Sequence, residues 1–185
     1  MTNLNTLPDD LPVPDDDGQA AHLLGQELPS ISLRSTNGAL LDLADLRGLT
    51  VIYAYPMTGK PGTDLPKDWN LIPGARGCTP QACSYRDHFA ELQALNASLY
   101  GLSTQSSDYQ KEMAERLHLP FDVLSDEQFK LTSALSLPNF QVDGMTLLKR
   151  LTLICQNRKI IRVHYPVFPP DKDIDHVIAF LKTGR

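Results

Sequence analysis

Two cysteines stand five residues apart in Gly77-Cys78-Thr79-Pro80-Gln81-Ala82-Cys83, with Ser84-Tyr85-Arg86-Asp87 directly behind. The run lies where an irregular stretch meets a helix start. Thr79 suits an N-cap, and Pro80 suits the first helical position. Free N–H groups at a helix N-terminus carry partial positive charge. A cysteine placed there ionises more readily, and the thiolate is the reactive form. A second thiol nearby can trap what the first becomes on oxidation. The segment therefore reads as a redox site. Two other readings stay open on the residues alone. One is a pair of buried structural thiols, since free cysteine is among the most buried residue types. The other is zinc, although Cys155 and His88 stand isolated and add no ligands at the usual spacing. The spacing does not fit Cys-x-x-Cys oxidoreductase chemistry.

The spacing also carries a mechanical consequence. If the helix extends back through Cys78, five residues at ~100° each place Cys83 about 140° around from it, with a rise of roughly 7.5 Å. Cys78 then falls near the face of Tyr85, Phe89 and Leu92, and Cys83 nearer the polar face. A disulfide needs Cα atoms within about 7 Å. The two thiols can pair only if the first turns of the helix unwind.

The elements that must hold these residues follow from hydrophobic pattern and turn signals. Thr50–Tyr55 is the strongest strand, β-branched and aromatic, ending at Pro56. Met57–Gly77 is a long irregular segment with Pro61, Pro66, Pro73, four glycines and the single tryptophan, Trp69. A loop of that length inside a compact domain is more often functional than filler. Helical spacing runs from Pro80 to about Leu95, then over Asp108–Leu117, Glu127–Leu135 and Asp173–Leu181, the last with Ile174, Val177, Ile178 and Leu181 inward. Leu99–Leu102 and Phe121–Leu124 read as strands, as do Leu151–Cys155 and Lys159–His164 about a Gln156-Asn157-Arg158 turn. Ile31–Leu33 and Leu40–Leu43 flank an Asn37-Gly38 turn. Strands alternating with helices, then a hairpin and a helix, make an α/β layered sheet.

Length and charge narrow the class. The chain has 185 residues, three cysteines and a net charge of −5. That suits one domain and argues against a nucleic-acid binder. No run is apolar enough to span a membrane, and Met1–Asn5 lacks the features of a secretory signal, so a reducing cytoplasmic setting is expected. Residues 1–23 form an acidic, Pro/Asp-rich arm, extended or mobile through about Gly18. Residues 24–185 form the domain.

With these residues in place, Gly77-Cys78-Thr79-x-x-x-Cys83 and Tyr85-Arg86-Asp87 resemble the active-site helix of the peroxiredoxins, in particular the bacterioferritin comigratory or Q-type subgroup. Gly25–Pro29 to Leu46-Arg47-Gly48, Thr50–Pro56 and Arg150–Ile154 resemble other stretches of that family in the correct order, over roughly residues 24–182. The resemblance implies a thioredoxin-like fold: a central mixed β-sheet flanked by helices, with an N-terminal hairpin extension. It implies reduction of hydrogen peroxide and organic hydroperoxides without metal, flavin or haem. Carried over, Cys78 is the peroxidatic thiolate and Cys83 the resolving thiol. Their disulfide is reduced by a thioredoxin or glutaredoxin-type partner. Arg150 holds a donor near thiolate and peroxide and favours negative charge there. Pro56, Gly77 and Arg76 border the substrate, and the protein is a monomer or homodimer.

One departure matters. The family has threonine three residues before the cysteine and proline four before that. Here these positions are Ala75 and Leu71. The hydroxyl for the peroxide then falls first to Thr58, next to Pro56, and second to Thr63, with Thr79 assigned to the helix cap. The 57–77 segment is read as an inserted active-site loop that rebuilds this wall. Arg76 is more simply a solvated loop arginine, Arg86 an ion-pair partner, Cys155 a spectator, and His88, His118 and His164 surface or interface residues. Tyr165–Pro170 is a packed cover or an oligomer contact. The departure also keeps a second function in view, a peroxide-responsive sensor or regulatory binding protein on the same fold with little turnover.

Overall fold

The structure, a computed structural model, describes residues 6–8 and 10–184; Met1–Asn5 and Asp9 of the expected arm lie outside the described residues. Its centre is a seven-stranded sheet ordered β2-β1-β5-β4-β3-β8-β9. The strands are β1 (Ser32–Ser35), β2 (Leu40–Asp42), β3 (Leu49–Ala54), β4 (Ala97–Ser103), β5 (Asp122–Ser125), β8 (Leu151–Gln156) and β9 (Lys159–His164). β3, β4 and β5 run parallel; β8 pairs antiparallel with β3, β9 with β8, and the β1–β2 hairpin joins through β5. This is the mixed sheet expected. Helices α1 (Cys78–Asp87), α2 (Phe89–Ala94), α3 (Ser107–Arg116), α4 (Lys130–Ala134) and α5 (Asp173–Thr183) complete the fold.

The alternation of β3 divides the core. Ile52 and Ala54 face a cluster with Leu102, Leu124, Leu153 and Cys155. Val51, Tyr53 and Tyr55 face the other, with Cys78, Tyr85, Met113, Ile174 and Val177. Successive side chains of a strand point to opposite faces, so the sheet separates Cys155 from Cys78. The Tyr85 ring stacks on Tyr53 with centroids 4.4 Å apart, fixing α1 over the middle strand.

Three local expectations are corrected. The cap of α1 is Gly77, at φ 106, and Cys78 is already helical. Only glycine adopts that conformation without strain, so the helix starts two residues earlier than the Thr79-Pro80 signal. The helix expected to continue to Leu95 breaks at His88 (φ −106, ψ 10), and α2 follows separately. The third expected helix shrinks to Lys130–Ala134, because Phe129 adopts φ 55 and the Asp126 carboxylate binds the N–H groups of Leu131 and Thr132 at 3.0 and 2.7 Å. A further hairpin, β6 (Asn139–Val142) with β7 (Met145–Leu148), escaped the pattern reading. It carries the inserted loop: Trp69, Ala75 and Leu147 form a small third core with Met57, Ile72 and Phe140 against it. The loop is packed structure with its own anchor.

The described part of the arm is docked on the domain, and its last residues, Ala21–Leu23, form a short 3-10 helix. Asp17 pairs with Lys149 and accepts a hydrogen bond from Tyr165 OH at 2.7 Å. Pro14 lies beside Gly74 and Leu7 beside Gly77. Among the described residues no helix is long and apolar enough to cross a membrane.

Candidate active site

Cys78 opens α1 with its side chain almost fully buried. Its Sγ donates a weak hydrogen bond to Ala75 O at 3.6 Å and accepts one from Arg150 Nη2 at 3.1 Å. The topology explains the meeting. In the β3–β8 register Ala54 pairs with Leu151, so Arg150, just before β8, leaves the sheet at the end where β3 runs into Tyr55-Pro56. Ser103 Oγ, at the end of β4, holds Pro56 O at 3.0 Å. The site thus lies beyond the carboxyl ends of parallel strands, where α/β sheets bind ligands.

Arg150 is 3% exposed and has no carboxylate within ion-pair distance among the described residues. Its Nη2 reaches the carbonyls of Gly74, Ala75 and Arg76 at 3.2, 3.2 and 3.3 Å, and Nη1 donates to Gln81 Oε1. A buried guanidinium held only by neutral acceptors favours negative charge at the next atom. That atom is Sγ. Arg150 Nε is also buried and has no hydrogen-bond partner.

Behind Arg150 lies a carboxylate that sequence reading missed. Asp173, the first residue of α5, is fully buried. Its Oδ2 accepts from Gln81 Nε2 (2.8 Å), Tyr85 OH (2.8 Å) and Thr152 Oγ1 (2.6 Å), and its Oδ1 faces His164 Nδ1 at 2.8 Å. An acidic residue in a first helical turn reads as an exposed dipole partner, so nothing in its local pattern announces burial. Gln81, three residues after Cys78, shares its helix face; that spacing was the available signal.

Cys83 is half-buried and unpaired. Burial pushes its thiol up, while the nearby Arg86 guanidinium opposes the shift. Arg86 ties α1 to the end of α3, donating from Nη1 to Leu117 O at 2.9 Å besides its contact with Asp87. Cys155 is free and buried, and burial pushes its thiol up to about 12.

The redoxin family profile matches residues 23–178. The chain is 30% identical to the chloroplastic peroxiredoxin Q of Populus jackii over 161 residues, 86% of this chain and 68% of that one. This chain belongs to the redoxin family, as a peroxiredoxin. Identity to the peroxiredoxin Bcp of Bacillus subtilis (strain 168) is 28% over 165 residues, covering 86% of this chain and 93% of that one. The crystal structure of peroxidoxin BcpB from Mycobacterium tuberculosis superposes with a TM-score of 0.71 at 25% identity, covering 88% and 97% of the two chains. The protein is a thiol-dependent peroxidase, an oxidoreductase acting on peroxides at the expense of thiols.

Among the expected residues of this peroxiredoxin, Cys78, Gly77 and Arg150 converge. Arg76 is buried, 5% exposed, correcting the solvated reading; burial lowers its pKa and the neighbouring Cys78 opposes that. Thr58 is buried near Pro56, but its hydroxyl donates to Gln105 Oε1 at 3.3 Å and its N–H to the same atom at 2.9 Å. The hydroxyl therefore serves the start of α3, while Cys78 Sγ donates to Ala75 O and accepts from Arg150 Nη2. Thr63 is exposed; Thr79 is buried in the first turn of α1 and caps nothing. His164, expected at the surface, is a partner of Asp173.

Proposed function

We propose that Cys78 is the peroxidatic residue and Cys83 the resolving one. The observation that carries the reading is Arg150 Nη2 at 3.1 Å from a buried Sγ at a helix N-terminus. The Cys78 thiolate attacks the terminal oxygen of ROOH. An S–O bond forms, the O–O bond breaks, and the departing RO⁻ takes a proton and leaves as ROH. Sulfur loses two electrons and becomes the sulfenic acid. Arg150, through Nη2 and its unpartnered Nε, meets the charge that passes from sulfur to oxygen. The first-turn amides of α1 add their partial charge. With Thr58 committed to Gln105, these donors take the part expected of a threonine hydroxyl.

The substrate approaches between Arg150 and the inserted loop. There a cavity of about 290 Å³ is lined by Ile72, Phe140 and Val167 besides Arg150, room for the carbon body of an organic hydroperoxide. In this reading Pro56, Gly77 and Arg76 border the peroxide group itself. Cys83 then attacks Sγ of the sulfenic acid; the S–S bond forms and the oxygen leaves as water. A dithiol of thioredoxin or glutaredoxin type exchanges with the disulfide, restoring both thiols and becoming a disulfide itself. Three free cysteines suit a reducing compartment, the cytoplasm. The 24–185 unit acts as monomer or homodimer, with residues 1–23 as an appended arm.

The test is steady-state consumption of hydrogen peroxide and an organic hydroperoxide with thioredoxin and its reductase. Many turnovers are expected for the native protein, none for Cys78→Ser, and loss of thioredoxin-linked cycling for Cys83→Ser. Consumption of a single equivalent by the native protein would instead mark a sensor. Turnover surviving in Cys78→Ser would sink the assignment.

A further inference from the structure

Gln81 lies between the two cysteines, and both ends of its amide are occupied. Nε2 donates to the Asp173 carboxylate, and Oε1 accepts from Arg150. A carboxylate only accepts and a guanidinium only donates, so the amide orientation is forced. Few side chains satisfy both neighbours from this position. A carboxylate at 81 repels Asp173, and an apolar residue serves neither. Resting on the two-cysteine reading above, we propose that Gln81 is a release latch between α1 and α5, and that Asp173 is the positioning residue that sets it. Latched, Gln81 holds Arg150 against Sγ and keeps the first turns of α1 folded for attack. Unlatched, residues 78–83 unwind and the disulfide closes.

Two features fit a latch made to open. When Gln81 leaves, Asp173 keeps three partners, Tyr85, Thr152 and His164, so no buried carboxylate is orphaned. Tyr85 lies two residues past Cys83, stacked on Tyr53 and bound to the same carboxylate. It pins the rest of α1, so unwinding stops before it. Attack and closure are then coupled with opposite sign through one side chain.

The test separates the two steps in rapid-mixing experiments on the full chain. Peroxide competition gives the attack rate. Quenched thiol trapping gives the closure rate. In Gln81→Met, attack is expected to slow and closure to quicken, each about tenfold, as for loss of hydrogen bonds to charged groups. In Gln81→Glu, closure quickens at least as much, while attack slows less than in Gln81→Met because an acceptor for Arg150 remains. Asp173→Asn, milder, quickens closure in the same direction. Native closure rates in both Gln81 variants, or slowing of both steps together, overturn the latch. Should the variants not fold, hydrogen exchange on the native protein decides. The oxidised form is expected to lose protection at Gln81, Ala82 and Cys83 and keep it from Tyr85 onward; protection retained at Gln81 overturns the proposal. Failure of native protein to form the Cys78–Cys83 disulfide overturns the two-cysteine reading itself, and is seen separately by mass.

Discussion

At the scale of single residues, environment sorts three chemically identical thiols. Cys78 sits at a helix N-terminus against a guanidinium; Cys83 is half-buried and pushed up; Cys155 is pushed up to about 12 by burial on the other face of the sheet. Thiolate concentration governs alkylation. Pulse labelling of the native reduced protein with iodoacetamide should therefore show the Cys83 rate still climbing as pH rises past the ordinary thiol range. Cys155 should react only after denaturation. Arg150→Met should slow peroxide attack about 10²–10³-fold, the scale of losing one preorganised charge-stabilising donor, measured by the same competition kinetics. Arg150 was picked out only through the resemblance of Arg150–Ile154 to the family's arginine-led strand. Its company was not legible: the carbonyls of residues 74–76 meet it only because the inserted loop folds back.

Elements decide how the thiol is presented. Gly77 adopts φ 106, and a Cβ there would run into Pro170 and come within 2.7 Å of Leu7 Cδ2. Gly77→Ala should cost about 1–3 kcal/mol of backbone strain, read as a lower urea midpoint with a shifted start of α1. The arm is held by Asp17, whose carboxyl is lowered to about 2, chiefly by the hydrogen bond from Lys149. A lowered carboxyl pKa means that the anchorage is fully present above the ordinary carboxylate range and is lost as pH falls toward about 2. NMR contacts of the Tyr165 ring and the Lys149 ammonium with residue 17 should persist down to about pH 4 and fade below it, while Asp17→Asn should weaken them at neutral pH. β3 and β8, apolar runs buried on both faces, and β9, α3 and α5, with one buried face, were legible within a residue or two. The β6–β7 hairpin was not. Its burial is partial, and its partner is the loop around Trp69 rather than the main sheet.

For the whole molecule, the sheet is a partition. Redox chemistry occupies one face, and the other holds Cys155 among leucines. Closure of the proposed Cys78–Cys83 disulfide is therefore expected to disturb only the side that carries α1 and α5. Closing it trades the first turns of α1 and the Gln81–Asp173 contact for a short covalent loop. The oxidised protein should therefore unfold at a lower urea concentration than the reduced one; comparing the two forms of Cys155→Ser, which removes stray pairing, measures this directly.

Order along the chain was enough to establish the two-cysteine helix start, the α/β alternation, the strand leading into Tyr55-Pro56 and the need for unwinding before the thiols can pair. These are local properties: side-chain period, residue conformation and the rise of a helix act over a few neighbours. Tertiary structure alone decided which buried groups touch. Asp173 meets Gln81 across 92 positions, and Arg150 meets Cys78 across 72. The same holds for Thr58, drawn to Gln105 across 47 positions. Hydrogen bonds of that span depend on where every intervening element packs, and no local pattern encodes it.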